Sequence, residues 1–199
     1  LIWVAPLMSR SLRKRLAFEK RNSLDLCCRS FRSDGVQAYA AFEVSSEGEL
    51  EQVRPLVEEL LKRGEKVELI FASDSVEKQC LKLANQFPRN LRVLRFPLLS
   101  FFPGKSDRDI NAWLSAKKLV LCRYDFFPSL LAYGSAEDVE FVLTSASLKS
   151  YEYKGGLSKA LLSKIYKNFD RVITATKLDE QRFIDNIGLP SDSLFTFDF

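Results

Sequence analysis

Short apolar runs alternate with stretches of helical period along most of the chain. The apolar runs predict buried strands at 36–44, 66–71, 91–96, 117–122, 138–144 and 170–175. The intervening periodicity predicts helices near 49–63, 75–87, 107–116, 157–168 and 177–187, with a short helix after Pro128. Strands that alternate with helices are typical of an α/β fold with a doubly wound, mostly parallel, Rossmann-like sheet.

Glycine and proline refine the helix boundaries. Gly64 and Gly188 lie where helix C-caps are expected. Pro55 falls inside the first predicted helix and lacks the backbone N–H that a helix interior needs. We therefore expect that helix to kink at Pro55 or to begin later than its period indicates.

A turn of small residues follows the first predicted strand and opens the first predicted helix. It reads Ser45-Ser46-Glu47-Gly48-Glu49. In open α/β sheets, ligands bind at the carboxyl ends of strands, beside the N-terminus of the next helix. Gly48 would let a ligand approach the backbone, and Glu49 projects from the first helical turn, where a carboxylate can act as a general base.

The same turn also has a purely structural interpretation. Ser46 and Glu49 have the spacing of a capping box, in which two side chains satisfy backbone N–H groups at the start of a helix. The two interpretations are compatible, because a glutamate that caps the free protein can still accept a proton from a substrate.

Two further connections after predicted strands are rich in polar groups. One begins Arg123-Tyr124-Asp125-Phe126-Phe127, and the other spans 144–150. Because parallel strands end at one edge of a sheet, we expect these groups to converge with the turn at 45–49. The two phenylalanines are expected in the core, whereas the carboxylate of Asp125 needs a partner or water.

Basic residues are concentrated at the N-terminal end. The net charge is +4, and residues 1–21 carry six basic side chains against one acidic, so the rest of the chain is nearly neutral. The apolar stretch 1–8 comes just before the basic cluster, an order that suits attachment to an anionic membrane surface. The predicted membrane-binding residues are Arg10, Arg13, Lys14 and Arg15.

The N-terminal end has two other interpretations. A signal peptide would carry its charges before the apolar run, and an ordinary first helix is the remaining alternative. The apolar stretch is too short to span a bilayer. It could be the end of a longer anchor, because the chain does not begin with methionine.

Composition excludes several kinds of site. The chain has no histidine, which excludes Ser-His and Cys-His nucleophilic sites and histidine-ligated metals. Cys27 and Cys28 are adjacent and no CxxC spacing occurs, which favours a reducing compartment over a disulfide framework. Cys80 and Cys122 lie in apolar runs and are expected in the core. No metal site is expected, and no nucleic-acid partner, because the body of the chain is not basic.

Taken in order, these motifs resemble those of the bacterial Kdo (3-deoxy-D-manno-octulosonic acid) transferases, over about residues 37–198. The family's Ala-Ser-x-Gly-Glu, followed by Arg-Pro-Leu, is similar to 45–49 followed by Arg54-Pro55-Leu56. Its Glu-Thr-Glu-hydrophobic-Trp-Pro-Asn-Leu is similar to 123–130, and its Asn-Ala-Arg-Leu-Ser to 145–149. Its closing unit resembles 169–173 and 179–183.

The resemblance implies a GT-B glycosyltransferase of lipopolysaccharide assembly, of which this chain forms the N-terminal, acceptor-binding half. Glu49 would be the general base, Ser46 would orient it, and Gly48 would leave room for the acceptor. Asp125 and Arg123 would contribute to acceptor binding. The reaction would be an inverting transfer of Kdo from CMP-Kdo to a lipid A precursor, without metal or cofactor, at the cytoplasmic face of the bacterial inner membrane.

The resemblance also sets the expected domain organisation. A membrane-proximal segment at 1–21 and a linker at 22–35 would precede a Rossmann-like glycosyltransferase domain at 36–199. The C-terminal nucleotide-binding domain, which would hold most of the donor CMP-Kdo, is expected to be absent. The chain alone should then bind acceptor without turnover.

Several residues depart from the family's pattern. Asp125 is shorter than the family's glutamate, Arg123 reverses the charge of another, Ser147 replaces an arginine, and Glu47 adds a carboxylate beside Glu49. Two alternatives therefore stay open. One is a non-catalytic, membrane-associated binding module of the same fold, and the other is a GT-B glycosyltransferase that uses another nucleotide sugar.

Overall fold

The fold is built on a sheet of parallel strands. The structure is a computed structural model and describes residues 9–98, 110–123, 126–136, 139–148 and 156–197. Within these ranges the sheet has seven strands in the order β3-β2-β1-β4-β5-β6-β7, and every pairing is parallel. The strands are β1 (Ala40–Val44), β2 (Val67–Phe71), β3 (Leu91–Arg95), β4 (Lys118–Cys122), β5 (Glu140–Ala146), β6 (Arg171–Thr174) and β7 (Leu194–Thr196).

Helices connect these strands and cover both faces of the sheet. They are α1 (Arg10–Lys20), α2 (Glu47–Lys62), α3 (Asp74–Gln86), α4 (Ile110–Trp113), α5 (Pro128–Ala136), α6 (Gly156–Tyr166) and α7 (Lys177–Arg182). The last continues as a wider π-helical turn, Phe183–Ile187. This arrangement confirms the predicted fold class.

Two hydrophobic cores form because successive strand residues point to opposite faces of the sheet. Phe42 and Val44 of β1 pack on one face with Leu50 and Val53 of α2. Ala41, which directly precedes Phe42 in β1, packs on the other face, in the core that also holds Leu130 and Tyr133 of α5 and Leu143 of β5.

The chain reverses its direction of winding between β1 and β4. These two strands are neighbours, yet α2 leaves β1 toward one face and α5 leaves β4 toward the other. In doubly wound sheets such a reversal leaves a crevice between the carboxyl ends of the two strands, and ligands bind there. The turn at 45–49 follows β1, and Arg123 follows β4.

All six predicted strands are present, within four residues at each end. The short β7 was missed because three residues carry too little periodicity to predict a strand. Helix α2 begins at Glu47 and runs through Pro55 to Lys62, so the later start expected from the proline is wrong. Pro55 lies on the exposed side of the helix. Of the helix predicted at 107–116, residues 107–109 lie outside the described residues. Helix α4 covers Ile110–Trp113 of the rest.

The predicted C-caps are confirmed at both glycines. Gly64 and Gly188 have φ of 85° and 73°, in the left-handed region that glycine adopts without strain.

Residues 22–35, which were predicted to be a linker, pack against the edge of the sheet. They form short 3₁₀ turns, and the side chains of Cys28 and Phe31 are buried. The side-chain amide of Asn22 binds both backbone groups of Arg95, donating to its carbonyl over 2.8 Å and accepting from its N–H over 3.0 Å. This segment thus covers β3, which is an edge strand among the described residues. The division of the chain at 21 and 35 stays a prediction.

A buried arginine reinforces the same contact. The guanidinium of Arg95 lies 2.7 Å from carboxylates of both Asp25 and Glu77, and only 1% of the residue is exposed. Asp25 belongs to the N-terminal segment and Glu77 to α3, so this cation holds both to β3. A buried charge is tolerated when it is paired in this way.

A buried carboxylate ties the sheet to the segment that follows α4. Glu68 of β2 is fully buried and accepts hydrogen bonds from the N–H groups of Ser115 and Ala116 and from the Ser115 hydroxyl, at 2.8 to 3.2 Å. The Ser115 hydroxyl oxygen in turn accepts from the N–H of Ala38, 3.0 Å away. Burial raises the pKa of Glu68 from 4.5 to about 7, although the hydrogen bonds from Ser115 and Ala116 act to lower it.

Glu68 is expected to make stability fall as pH rises. Because its pKa is higher in the folded protein, the folded state holds a proton that the unfolded state has lost between pH 4.5 and 7. The free energy of unfolding should decrease across that window, by on the order of 3 kcal/mol, and level off above it. Denaturant unfolding of Glu68→Gln should lack this decrease.

The matched control is Glu59→Gln, because Glu59 lies half-exposed on α2. This control should keep the wild-type dependence of stability on pH. If the stability of Glu68→Gln fell with pH as that of the wild type does, Glu68 would not be the group that titrates in this window.

Candidate functional site

Glu49 lies at the start of α2, held by groups of the preceding turn. Ser46 is the N-cap, and its hydroxyl oxygen accepts a hydrogen bond from the Glu49 N–H over 3.3 Å. The Glu49 carboxylate turns back and accepts from the N–H of Ser45 over 2.6 Å. The cap interpretation is therefore correct for the free protein. The Glu49 carboxylate binds the N–H of Ser45, which is one residue before the N-cap Ser46. Only 7% of Glu49 is exposed.

Ser45 lies between two glutamates. Its N–H donates to Oε2 of Glu49, and its hydroxyl donates to Oε1 of Glu43 over 2.8 Å. Glu43 is a fully buried residue of β1, on the sheet face opposite α2. Glu43 was not predicted as a site residue. A charged residue inside an otherwise apolar strand was the available signal, because a buried charge needs a partner.

Cys122 lies at the carboxyl end of β4, beside these carboxylates. Its thiol is fully buried and contacts Oε1 of Gln52, 3.5 Å away on α2. The pKa of Cys122 is raised to about 12, mainly by burial and also by the negative charges of Glu49 and Glu43, while Arg123 and a hydrogen bond from Ser145 act to lower it. The thiol is therefore neutral at physiological pH and is not a nucleophile. Its expected place in the core is confirmed, as is that of Cys80.

Two residues with left-handed backbone conformations lie side by side at the same edge. Arg123 has φ of 66° and Ser145 has φ of 53°, values that residues other than glycine adopt at a cost. The N–H of Arg123 donates to the carbonyl of Thr144 over 2.9 Å, which joins the connection after β4 to the end of β5. Backbone strain of this kind concentrates at functional sites.

The third connection is anchored to α7. Asp179 is buried at the start of that helix, where its N–H and one carboxylate oxygen hydrogen-bond to the Thr176 hydroxyl. Its other oxygen accepts from the N–H of Leu148 over 3.4 Å and forms an ion pair with Arg182 at 3.2 Å. The connections after β1, β4 and β5 thus meet at one edge, as predicted.

Gly48 leaves open space at the start of α2. A Cβ built at this residue would meet no described atom within 4 Å, apart from its chain neighbours and the backbone of its own helix. The described residues thus leave this backbone open, and the approach of a ligand to it stays a prediction.

Asp125 and residues 149–150 of the third connection lie outside the described residues. Phe126 and Phe127 pack against the core, as expected, with the Phe127 ring 4.3 Å from that of Phe96. The roles of Glu49, Ser46, Gly48, Arg123 and Asp125 stay predictions.

The predicted membrane-binding residues divide into two groups. Arg10, Arg13 and Lys14 are exposed on α1. Arg15 is instead half-buried, pairs with Glu19 at 2.7 Å, and donates to the backbone carbonyls of Ala72 and Phe96. These carbonyls lie just beyond β2 and β3, so α1 is attached at the same edge of the sheet as Glu49. None of the described helices is both long and apolar enough to cross a membrane.

Within the described residues, no group of three acidic or cysteine side chains is placed to hold a metal ion. The chemistry available at the edge is instead that of a carboxylate held by the backbone N–H of Ser45, next to an open glycine and an arginine.

Comparison with known proteins identifies the family. The sequence profile described as 3-deoxy-D-manno-octulosonic-acid transferase (Kdo transferase) matches residues 10–197, which is nearly the whole chain. The chain belongs to the Kdo transferase family. The family supports a glycosyltransferase function and confirms the resemblance inferred from the motifs.

Two solved structures share the fold. A glycosyltransferase from Rickettsia africae ESF-5 has a TM-score of 0.55 and 13% identity, over 82% of this chain and 43% of its own. A UDP-N-acetylglucosamine 2-epimerase has a TM-score of 0.52 and 12% identity, over 81% of this chain and 48% of its own. The chain spans less than half the length of either protein, and the likeness shows the fold alone. A search of curated proteins finds no significant match.

The motif 45–49, which resembles the family's Ala-Ser-x-Gly-Glu, forms the turn that begins α2. We expect Gly48→Ala to stabilise the free protein by roughly 0.5–1 kcal/mol, because alanine is the better residue inside a helix and the added methyl meets open space. Denaturant unfolding tests this.

A matched control is Gly134→Ala in α5, where the added Cβ would lie 3.2 Å from the ring of Phe141. Crowding there should cancel the gain. Destabilisation by Gly48→Ala would mean that the turn itself requires glycine.

Proposed function

We propose that this chain is the acceptor-binding domain of a Kdo transferase that moves Kdo from CMP-Kdo to a lipid A precursor. Glu49 is the general base. The reaction takes place at the anionic cytoplasmic face of the bacterial inner membrane and belongs to lipopolysaccharide biosynthesis.

One observation carries the proposal. The carboxylate of Glu49 lies at the crevice between β1 and β4, and the N–H of Ser45 fixes one of its oxygens at 2.6 Å. A general base must be held within hydrogen-bond reach of the proton that it removes. A carboxylate in a fixed position at a ligand crevice meets that requirement, and the open face of Gly48 beside it leaves room for an acceptor hydroxyl.

The proposed chemistry is a single displacement. Glu49 takes the proton from the acceptor hydroxyl as that oxygen forms a bond to the anomeric carbon of Kdo. The bond from that carbon to CMP breaks on the opposite face, which inverts the configuration. The transition state resembles an oxocarbenium ion, as in glycoside hydrolysis. The scheme needs no metal or cofactor, because the leaving nucleotide is part of the donor substrate.

The position of α1 supports a lipid acceptor. Arg15 fixes this helix at the edge of the sheet that carries Glu49, and Arg10, Arg13 and Lys14 of the same helix are exposed. Juxtamembrane basic residues are attracted to anionic lipid surfaces. An acceptor embedded in such a surface would therefore meet the edge of the sheet that holds the proposed base.

A non-catalytic binding module is the second candidate. It is favoured by Arg123, which stands where the family motif has glutamate and which adopts a strained backbone conformation. A module of this kind would keep acceptor and membrane binding without transfer. A GT-B enzyme that uses another nucleotide sugar would instead transfer with a different donor.

Substituting Glu49 tests the enzyme. In the complete reading frame, Glu49→Gln should lower Kdo transfer from CMP-Kdo to a lipid A precursor by about 10²- to 10⁴-fold, the usual contribution of a general base. Acceptor binding should persist, since glutamine keeps an oxygen for the Ser45 N–H. Transfer and acceptor binding are measured on the same preparations.

Glu47→Gln is the matched control, because Glu47 lies in the same helical turn but is exposed. Its transfer rate should stay within about threefold of wild type. Full activity in Glu49→Gln would leave Glu49 as a helix cap only. An inactive wild type that still binds acceptor would identify the binding module.

Membrane attachment is tested separately on α1. Replacing Arg10, Arg13 and Lys14 together with glutamine should weaken binding to phosphatidylglycerol-containing vesicles by up to about 100-fold, at roughly 1 kcal/mol for each charge. The difference should shrink at high salt. Vesicle co-sedimentation at two ionic strengths measures both effects.

The control variant removes three positive charges from α2 and α3 instead of α1. Lys62 of α2, the C-cap residue Arg63 and Lys82 of α3 are exposed and should contribute little when replaced. Arg15 is left unchanged in both variants, because its loss would free α1 from the sheet. Equal weakening in the two triple variants would rule out a specific role for α1.

A further inference from the structure

The turn before α2 contains a chain of two hydrogen bonds that links a second carboxylate to the proposed base. Glu43 Oε1 accepts from the Ser45 hydroxyl at 2.8 Å, and the N–H of the same serine donates to Glu49 Oε2 at 2.6 Å. A single residue thus contacts both glutamates, through its side chain on one side and its backbone on the other.

Both glutamates are removed from solvent. Glu43 is fully buried in β1, and Glu49 is 7% exposed. The cost of burying a carboxylate is offset only where hydrogen bonds or charges compensate it. The hydrogen bond from Ser45 is therefore worth more here than the same bond would be at the surface, and it restrains the orientation of the serine.

The surroundings confirm that the two carboxylates share one region of the site. Glu43 and Glu49 both act on the buried thiol of Cys122 and raise its pKa, while the Arg123 guanidinium opposes them. Glu43 belongs to β1 and Glu49 to α2, whereas Cys122 ends β4 and Arg123 directly follows it. The region therefore lies at the crevice between β1 and β4.

We propose that Ser45 and Glu43 are positioning residues for Glu49, an inference that rests on the proposed function. Glu43 fixes the hydroxyl of Ser45, the fixed serine aims its N–H at Glu49 Oε2, and the carboxylate is thereby held toward the crevice. Neither residue contacts the substrate.

The consequence for the reaction follows from geometry. Without the hydroxyl, Ser45 loses its tie to Glu43, and the turn at 45–46 gains freedom to rotate its N–H away from Glu49. A reacting group displaced by about 1 Å can lose on the order of 100-fold in rate. The loss should fall on the chemical step and not on acceptor binding, since the positioning residues do not touch the acceptor.

Three substitutions separate positioning from simple structural support. Ser45→Ala removes only the hydroxyl, Ser45→Thr keeps it, and Glu43→Gln keeps an acceptor oxygen for it. Transfer of Kdo to a lipid A precursor is measured in the complete reading frame, with kcat and the acceptor KM determined separately. We expect Ser45→Ala to lower kcat about tenfold with KM within twofold, Ser45→Thr to recover most of that loss, and Glu43→Gln to lose less than Ser45→Ala.

Hydrogen exchange supplies a readout that does not need activity. The amides at 45–50 should exchange faster in Ser45→Ala than in wild type, and Ser45→Thr should restore their protection. Faster exchange in Ser45→Ala alone supports the inference even if the wild type transfers no Kdo, in which case only the proposed function fails.

Other outcomes overturn the inference. An active wild type with an unchanged kcat in Ser45→Ala would show that the hydroxyl does not position the base. Equal damage from Ser45→Ala and Ser45→Thr would assign the effect to the shape of the turn. Unchanged exchange at 45–50 in Ser45→Ala would show that the link to Glu43 does not restrain the turn.

Discussion

The parallel pairing of β1 with β4 is the constraint on which the site depends. Because these neighbouring strands send their helices to opposite faces of the sheet, neither α2 nor α5 crosses the gap between their carboxyl ends. The described polar groups that follow the two strands therefore lie at this gap. The core on each face fixes the strands, and the strands fix the directions in which Glu49 and Arg123 leave the sheet.

Within that frame, the local chemistry of the turn gives Glu49 two compatible roles. The carboxylate caps α2 in the free protein by binding the N–H of Ser45. The same contact fixes its direction at the crevice, which is what a general base requires. The structural role of Glu49 and its proposed catalytic role are thus compatible, because one hydrogen bond serves both.

Local pattern predicted much of this architecture from the sequence. The period of α2 and the buried runs of β1 to β6 are local properties, so the fold class and the place of Glu49 in the first turn of the helix after β1 could be predicted. What could not be predicted depends on contacts between distant segments. Examples are the hydrogen bonds of Arg15 to carbonyls beyond β2 and β3, the hold of Glu68 on Ser115, and the packing of residues 22–35. No local period carries that information.

The contact between Asn22 and Arg95 has a consequence for how the protein behaves in a crowded solution. β3 is an edge strand among the described residues, and an uncovered edge offers its backbone to any other extended chain, which is a common route to aggregation. The side-chain amide of Asn22 makes the two hydrogen bonds that a neighbouring strand would make, to the N–H and to the carbonyl of Arg95. At this end of β3, the N-terminal segment thus occupies the backbone groups that another chain would need in order to extend the sheet.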